Sequence, residues 1–414
     1  MVFDKLIKKI NTLINNIVMA FKSLGWKRDD SIVLFGSWFG ERFADNSRFL
    51  YQYLSENMSK FNLTHVVWVS RSPSIVDTVN SLGYEAYLMD SKESINYHKI
   101  AKYHIICNAA ASVYDYKADI LCEYSWGAIK VNLWHGSLGF KNVGMSSNEY
   151  LVRKAKHRVL FSLKEHLHQL SLYRKFVELP GGWGDCYYVS NTPTTTRQLW
   201  CSSQLPIKNY IEAGTPRVSY LPKMTVEEKS ILNYIRKFKK IIIYLPTFRV
   251  GESSFDFEEA GKSLQVYLKE NNYLWVEKVH SANKLKPLVH GSNILNLPHD
   301  FDVNLLIPFV DMMVSDYSSA LGEAMYYYKP IIFYVPDLNE YLTGERGVVE
   351  NIEEIMCGSI VKSVNELKEA VDSVLRNEFK PDNKYLAVRE RYYGSKKTIS
   401  EIWEEILSRT SRKQ

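Results

Sequence analysis

Two short stretches of this chain carry side chains suited to holding phosphate and moving a proton. Val314-Ser315-Asp316-Tyr317-Ser318-Ser319 leaves an apolar run, Asp311 to Val314, and enters a helical one, Ala320 to Tyr328. Small hydroxyl residues at a helix start leave backbone amides pointing outward, and the helix dipole adds partial positive charge, so an anion is the natural guest. Ser318 or Ser319 serving only as a helix cap is the competing explanation. Trp134-His135-Gly136 follows a second apolar run, Lys130 to Leu133, and Gly136 and Gly139 leave room for a substrate. An imidazole titrates near neutral pH, which suits removal of a proton from an alcohol. Arg249 follows Lys240 to Leu245 and a Pro-Thr-Phe turn; its planar guanidinium can hold two phosphate oxygens at once. His280, at the end of Tyr273 to Val279, can donate a hydrogen bond to a phosphate oxygen. Each residue has an ordinary alternative, a strand-end histidine or a surface ion pair, and only their joint placement favours chemistry.

That placement needs a scaffold, and the hydrophobic pattern supplies one. Ile32 to Phe35, His65 to Val69, Tyr103 to Cys107 and Lys130 to Leu133 look like buried parallel strands, with helical patterns such as Asn46 to Met58 between them. After Gly214-Thr215-Pro216-Arg217 and a charged helical stretch, Thr225 to Lys239, a second series begins: Lys240 to Leu245, Tyr273 to Val279, Ile294 to Leu297, Asp311 to Val314 and Pro330 to Tyr334. The expected class is therefore α/β. The expected division is residues 1–26 as an N-terminal amphipathic helix, 27–222 and 223–380 as two domains, and 381–414 as a C-terminal helix returning to the first. Open parallel sheets bind ligands beyond the carboxyl ends of their strands, and Thr247, Arg249, His280, Pro298 and Ser318 all fall just after expected strands.

Composition bounds the partners. The 414 residues exceed what one core usually supports. Five cysteines without a C-x-x-C pair argue against a zinc site and a disulfide framework, and fit a reducing compartment. A net charge of +6 favours anionic partners, but the absence of a dense Lys/Arg block speaks against nucleic acid. Phe3, Leu6, Ile10, Leu13, Ile17, Phe21 and Leu24 recur at helical spacing among lysines. This predicts an amphipathic helix that either packs on its domain or lies on an acidic membrane, with too many lysines for a bilayer span and no signal-peptide cleavage pattern. Asp300-Phe301-Asp302 is the one pair spaced for a divalent ion and sits in a loop, so no metal is expected.

Taken in order, Trp134-His135-Gly136, Leu245-Pro246-Thr247-Phe248-Arg249, Val279-His280-Ser281, Ser315-Asp316-Tyr317-Ser318-Ser319 and Arg346-Gly347 resemble the CDP-glycerol glycerophosphotransferase family, the polymerases and primases of teichoic acids and related capsules. The resemblance implies the GT-B architecture: two doubly wound, Rossmann-like domains facing across a cleft, with the nucleotide on the second. It implies transfer of glycerol phosphate or ribitol phosphate from CDP-glycerol or CDP-ribitol to a glycolipid or polyol-phosphate polymer, releasing CMP without a cofactor, in the cytoplasm at the inner face of the membrane. His135 is then the base, with His280 as a second catalytic group. Arg249, Thr247, Pro298, Ser318, Ser319, Glu323 and Arg346 fall to the donor, and Lys141 and Arg217 to the acceptor. The chain departs from the family pattern at Ser281, where a proline is usual; at Glu323, where Asp is usual; and at Val218-Ser219, where Asn-Asp is usual. A UDP-sugar-dependent GT-B glycosyltransferase and a non-catalytic module that binds anionic polymer are the alternatives.

Overall fold

The computed structural model describes residues 2–110, 117–136, 142–247, 257–278, 291–343 and 351–411. The described chain divides into two compact units. The first comprises Met1–His135, Tyr150–Lys223 and Lys396–Gln414; the second comprises Gly136–Glu149 and Met224–Ser395.

The first unit is built on seven parallel strands: β1 (Asp29–Phe35), β2 (His65–Ser70), β3 (Glu85–Leu88), β4 (Ala101–Ile106), β5 (Ile129–Asn132), β6 (Tyr187–Ser190) and β7 (Tyr210–Glu212), in the order β3-β2-β1-β4-β5-β6-β7. Successive residues of a strand face opposite sides, so β1 feeds two cores. Val33 and Phe35 join Leu50, Leu54, Trp68 and Trp403 on one side. Ile32 and Leu34 join Val67, Val69, Trp183 and Leu199 on the other. Burial on both faces is why these strands read as continuous apolar runs.

The second unit repeats the layout with β8 (Lys240–Leu245), β9 (Tyr273–Glu277), β10 (Ile294–Asn296), β11 (Met312–Ser315), β12 (Ile331–Tyr334) and β13 (Ser359–Val361), all parallel, in the order β10-β9-β8-β11-β12-β13. One face buries Ile242, Trp275, Met312, Val314 and Ile332 under Leu264, Leu268, Leu367 and Val371. In each sheet the strand order reverses beside its first strand, at β1/β4 and at β8/β11. Loops leaving two neighbouring strands in opposite directions open a crevice there.

Both ends of the chain pack in the first unit. The helix Val2–Ser23 is fastened by Asn16, which donates to the carbonyls of Phe176 (2.9 Å) and Leu179 (3.0 Å) and accepts from the Gly181 amide (2.9 Å). Asn16 and Met19 are buried, whereas Ile10, Ile14, Ile17, Val18, Phe21 and Leu24 are exposed. At 100° per residue these exposed side chains fall on one arc roughly 120° wide. The expected single helix over 381–414 is two: Asn383–Tyr393 belongs to the second unit and Ile399–Ser411 to the first. Gly394, with φ +59, ends the former in a conformation that L side chains avoid. No helix among the described residues is long and apolar enough to cross a membrane.

Candidate active site

His135 comes from the loop after β5 and reaches the crevice at β1/β4. Its Nδ1 lies 3.1 Å from the carbonyl oxygen of Cys107, the residue following β4. A carbonyl only accepts, so Nδ1 carries the proton and Nε2 keeps its lone pair. The Trp38 ring, from the loop after β1, and the Trp134 ring stand 5.4 and 4.5 Å from the imidazole, centre to centre. Burial lowers the His135 pKa, opposed by Asp45 and the Cys107 carbonyl and assisted by Arg217. A neutral imidazole with a fixed tautomer is what general-base work requires.

The backbone around this ring is unusual. Trp38, Phe39, Asp45 and Trp134 all have positive φ, from 45 to 64°, although none is glycine. Such conformations cost about 1 kcal/mol or more each and persist where neighbouring contacts over-determine them. Those contacts are present. The Asp119 carboxylate, on which burial raises the pKa to about 6, accepts amides from Phe39, Cys107, Asn108 and Ala109, and thereby ties the loop after β1 to the loop after β4. Gly36 admits this approach: a Cβ there would lie 2.1 Å from the Asp119 carbonyl oxygen.

Beneath His135 sits a buried ion pair absent from the sequence-based expectation. Arg217 Nη1 donates to Asp45 Oδ1 at 2.6 Å and to the His135 carbonyl oxygen at 2.9 Å. Asn46 Nδ2 donates to the Trp134 carbonyl oxygen at 2.8 Å, and Asn46 Oδ1 accepts the Arg217 amide at 3.1 Å. Arg217, expected to face the acceptor, is buried, with its guanidinium turned to Asp45 and the His135 backbone. Lys141, also assigned to the acceptor, lies outside the described residues.

In the second unit, the β8/β11 crevice holds Thr247 and the Ser-Asp-Tyr-Ser-Ser run. Asp316, buried, accepts the Thr247 amide with both carboxylate oxygens at 2.9 Å and the Thr247 hydroxyl at 2.5 Å, while Ser315 Oγ donates to the Leu245 carbonyl oxygen. Asp316 and Ser315 therefore lock the loop after β8 to the loop after β11, and Thr247 turns both its proton donors inward. Ser318 and Ser319 are half-buried on the same rim. The helix that follows is shorter than expected, Leu321–Tyr326, and its N-cap is Ala320 rather than a serine. Ser318 still engages this turn, its Oγ accepting from Ala320 N and its carbonyl from Leu321 N. The amides of Ala320 and Leu321 are thus occupied within the turn, and the phosphate-binding expectation stays with Ser318 and Ser319.

Glu323 is buried and accepts a hydrogen bond from Tyr393 Oη at 2.8 Å, a partner the sequence did not reveal. Pro298 is exposed in the loop after β10, two strands from β8. Arg249, His280 and Arg346 lie outside the described residues. Among the described residues no cluster of three His, Cys, Asp or Glu side chains is arranged to hold a metal ion.

Residues 18–406 match the family described as CDP-glycerol:poly(glycerophosphate) glycerophosphotransferase. The chain is 24% identical to the teichoic acid poly(glycerol phosphate) polymerase of Bacillus spizizenii, over 96% of this chain and 99% of that one. It is 31% identical to the teichoic acid ribitol-phosphate polymerase TarL of Staphylococcus aureus, over 40% of this chain and 32% of that one. The structure of the wall teichoic acid polymerase TagF superposes with a TM-score of 0.64 at 18% identity, over 100% of this chain and 98% of that one, a likeness of fold.

Proposed function

The chain belongs to the CDP-glycerol:poly(glycerophosphate) glycerophosphotransferase family, and from that premise we propose that it transfers a polyol phosphate, glycerol or ribitol, from a CDP-activated donor to a hydroxyl of a glycolipid or polymer acceptor in teichoic acid synthesis. The acceptor hydroxyl attacks the β-phosphorus and loses its proton to His135 Nε2. A new P–O bond forms, the bond from the β-phosphorus to the bridging oxygen breaks, and CMP leaves with that oxygen. The observation that carries this reading is the placement of His135, with Nδ1 held by the Cys107 carbonyl and Nε2 left to accept a proton, at the topological switch point of its sheet.

The two units would form the GT-B pair, with acceptor chemistry on the first and CDP on the second. Ser318 and Ser319, on the loop that Asp316 fastens, would hold the diphosphate together with Arg249, His280 and Arg346. Pro298 would border the nucleoside, and Glu323, braced by Tyr393, would take the ribose hydroxyls. Lys141 would attract the anionic acceptor. Side chains and amides, rather than a metal, would neutralise the leaving group. Peripheral attachment to the inner face of the membrane is supported by exposed apolar side chains on two adjoining segments: the arc from Ile10 to Leu24, and Val159, Leu160, Leu163, Leu170 and Leu172, with Lys9 bonded to Tyr173 between them.

Donor screening tests this function. The protein is incubated separately with CDP-glycerol, CDP-ribitol and UDP-glucose, with and without glycolipid acceptor, and released nucleotide is measured. Acceptor-dependent CMP release from a CDP-polyol is expected; UDP release alone would replace the reading with a glycosyltransferase.

A further inference from the structure

We propose that Asp45, Asn46 and Arg217 form a clamp that fixes the orientation of His135, so that Arg217 is a positioning residue that governs turnover without touching the acceptor. The inference rests on the reading of His135 as the base and deepens it.

Two consecutive carbonyls, those of Trp134 and His135, are each held by a side chain from a distant part of the chain: Asn46 holds the first and Arg217 the second. The holders are joined to each other, because Asn46 Oδ1 accepts the Arg217 amide and Asp45 Oδ1 accepts both the Asn46 amide (2.8 Å) and Arg217 Nη1 (2.6 Å). The Trp134 amide is fixed as well, donating to Asn132 Oδ1 at 2.8 Å. Between these anchors Trp134 has φ +58 and Asp45 φ +64, and it is the turn at Trp134 that carries the imidazole back to the Cys107 carbonyl. A backbone freed from the clamp would relax toward negative φ and swing Nδ1 off that carbonyl. Arg217 and Asp45 side chains are only 4% and 7% exposed, which leaves little of either for a bound acceptor. The charged groups acting on the imidazole among the described residues are these same two, with opposite signs, while the Cys107 thiol beside them stays protonated because burial raises its pKa.

The test uses full-length Arg217→Lys, Arg217→Gln, Asp45→Asn and Asn46→Ala, with CMP release as the activity and the His135 imidazole titration followed by NMR. In Arg217→Lys and Asn46→Ala, kcat should fall about tenfold or more while acceptor KM stays within about threefold, the signature of lost transition-state geometry. Removing the cation in Arg217→Gln should move the His135 titration to higher pH, and removing the anion in Asp45→Asn should move it lower. Placed in a His135→Ala background, Arg217→Lys should add no further loss, since its effect passes through the missing ring. An acceptor KM raised about tenfold with kcat unchanged would return Arg217 to acceptor binding and overturn the clamp. So would an unchanged His135 titration in both charge variants. Should Arg217→Gln fail to fold, Arg217→Lys and Asn46→Ala decide the matter, and wild-type kcat in both overturns it. Near wild-type turnover in His135→Ala removes the base assignment instead, and the imidazole titration then judges the clamp by itself.

Discussion

At the scale of single residues, general-base work by His135 depends on which ring nitrogen carries the proton. Its Nδ1 faces a carbonyl, so Nε2 is the basic atom, and burial lowers the pKa. A base works only when deprotonated. Turnover should therefore rise with pH through an acid limb below the ordinary histidine value of about 6.5 and stay level at neutrality. A limb centred at or above that value contradicts the assignment. In the second unit, Asp316 is the residue through which Thr247 and the serine loop are held. Asp316→Ala strands the buried Thr247 amide and frees Tyr317 N, which also bonds the carboxylate. The loss should be about 2 to 3 kcal/mol of stability with weaker CMP binding, read by thermal unfolding and calorimetry; unaltered CMP affinity would detach this loop from the donor site.

At the scale of elements, the helix Val2–Ser23 has one face fastened by Asn16 and another left apolar and exposed. Ile14→Glu with Phe21→Glu alters only the exposed face. The pair should keep the melting temperature within a degree or two while reducing sedimentation with acidic liposomes several-fold, as expected when apolar insertion is lost. Unchanged sedimentation would assign that face another role. At the opposite end, Trp403 is fully buried and meets Tyr103 edge-on, so Trp403→Ala should cost about 3 to 5 kcal/mol in chemical denaturation. The long buried strands were legible in the sequence because both their faces are apolar: Lys240 to Leu245 was expected and found with the same ends. Strands β3, β6, β7 and β13 were not expected, although β5 and β10, equally short, were. His135, Ser318 and Ser319 stood out because each follows such a strand. The Asp45–Arg217 pair did not, since 172 residues separate partners that only the fold brings together. Asp45-Asn46, read alone, looks like any helix start.

At the scale of the whole molecule, each of the two units has a parallel sheet whose order reverses beside its first strand, and each places a conspicuous motif at that reversal. Trp134-His135 sits at β1/β4, and Thr247 with Asp316 sits at β8/β11. The proposed division of labour, one unit taking a proton and the other holding a nucleotide diphosphate, rests on this placement. Because the proposed charge neutralisation uses amides and cationic side chains, EDTA should leave turnover within about twofold, and a strict Mg²⁺ requirement would refute that part of the scheme. Transfer of a polyol phosphate from CDP to a hydroxyl, with His135 as base, is tested by CMP release from CDP-glycerol and CDP-ribitol in the presence of a glycolipid acceptor, wild type beside His135→Ala. The expected result is acceptor-dependent release that falls by about two orders of magnitude in the variant while CDP-polyol binding stays within a few-fold. Equal turnover in the two proteins, or no release from either CDP-polyol, would contradict it.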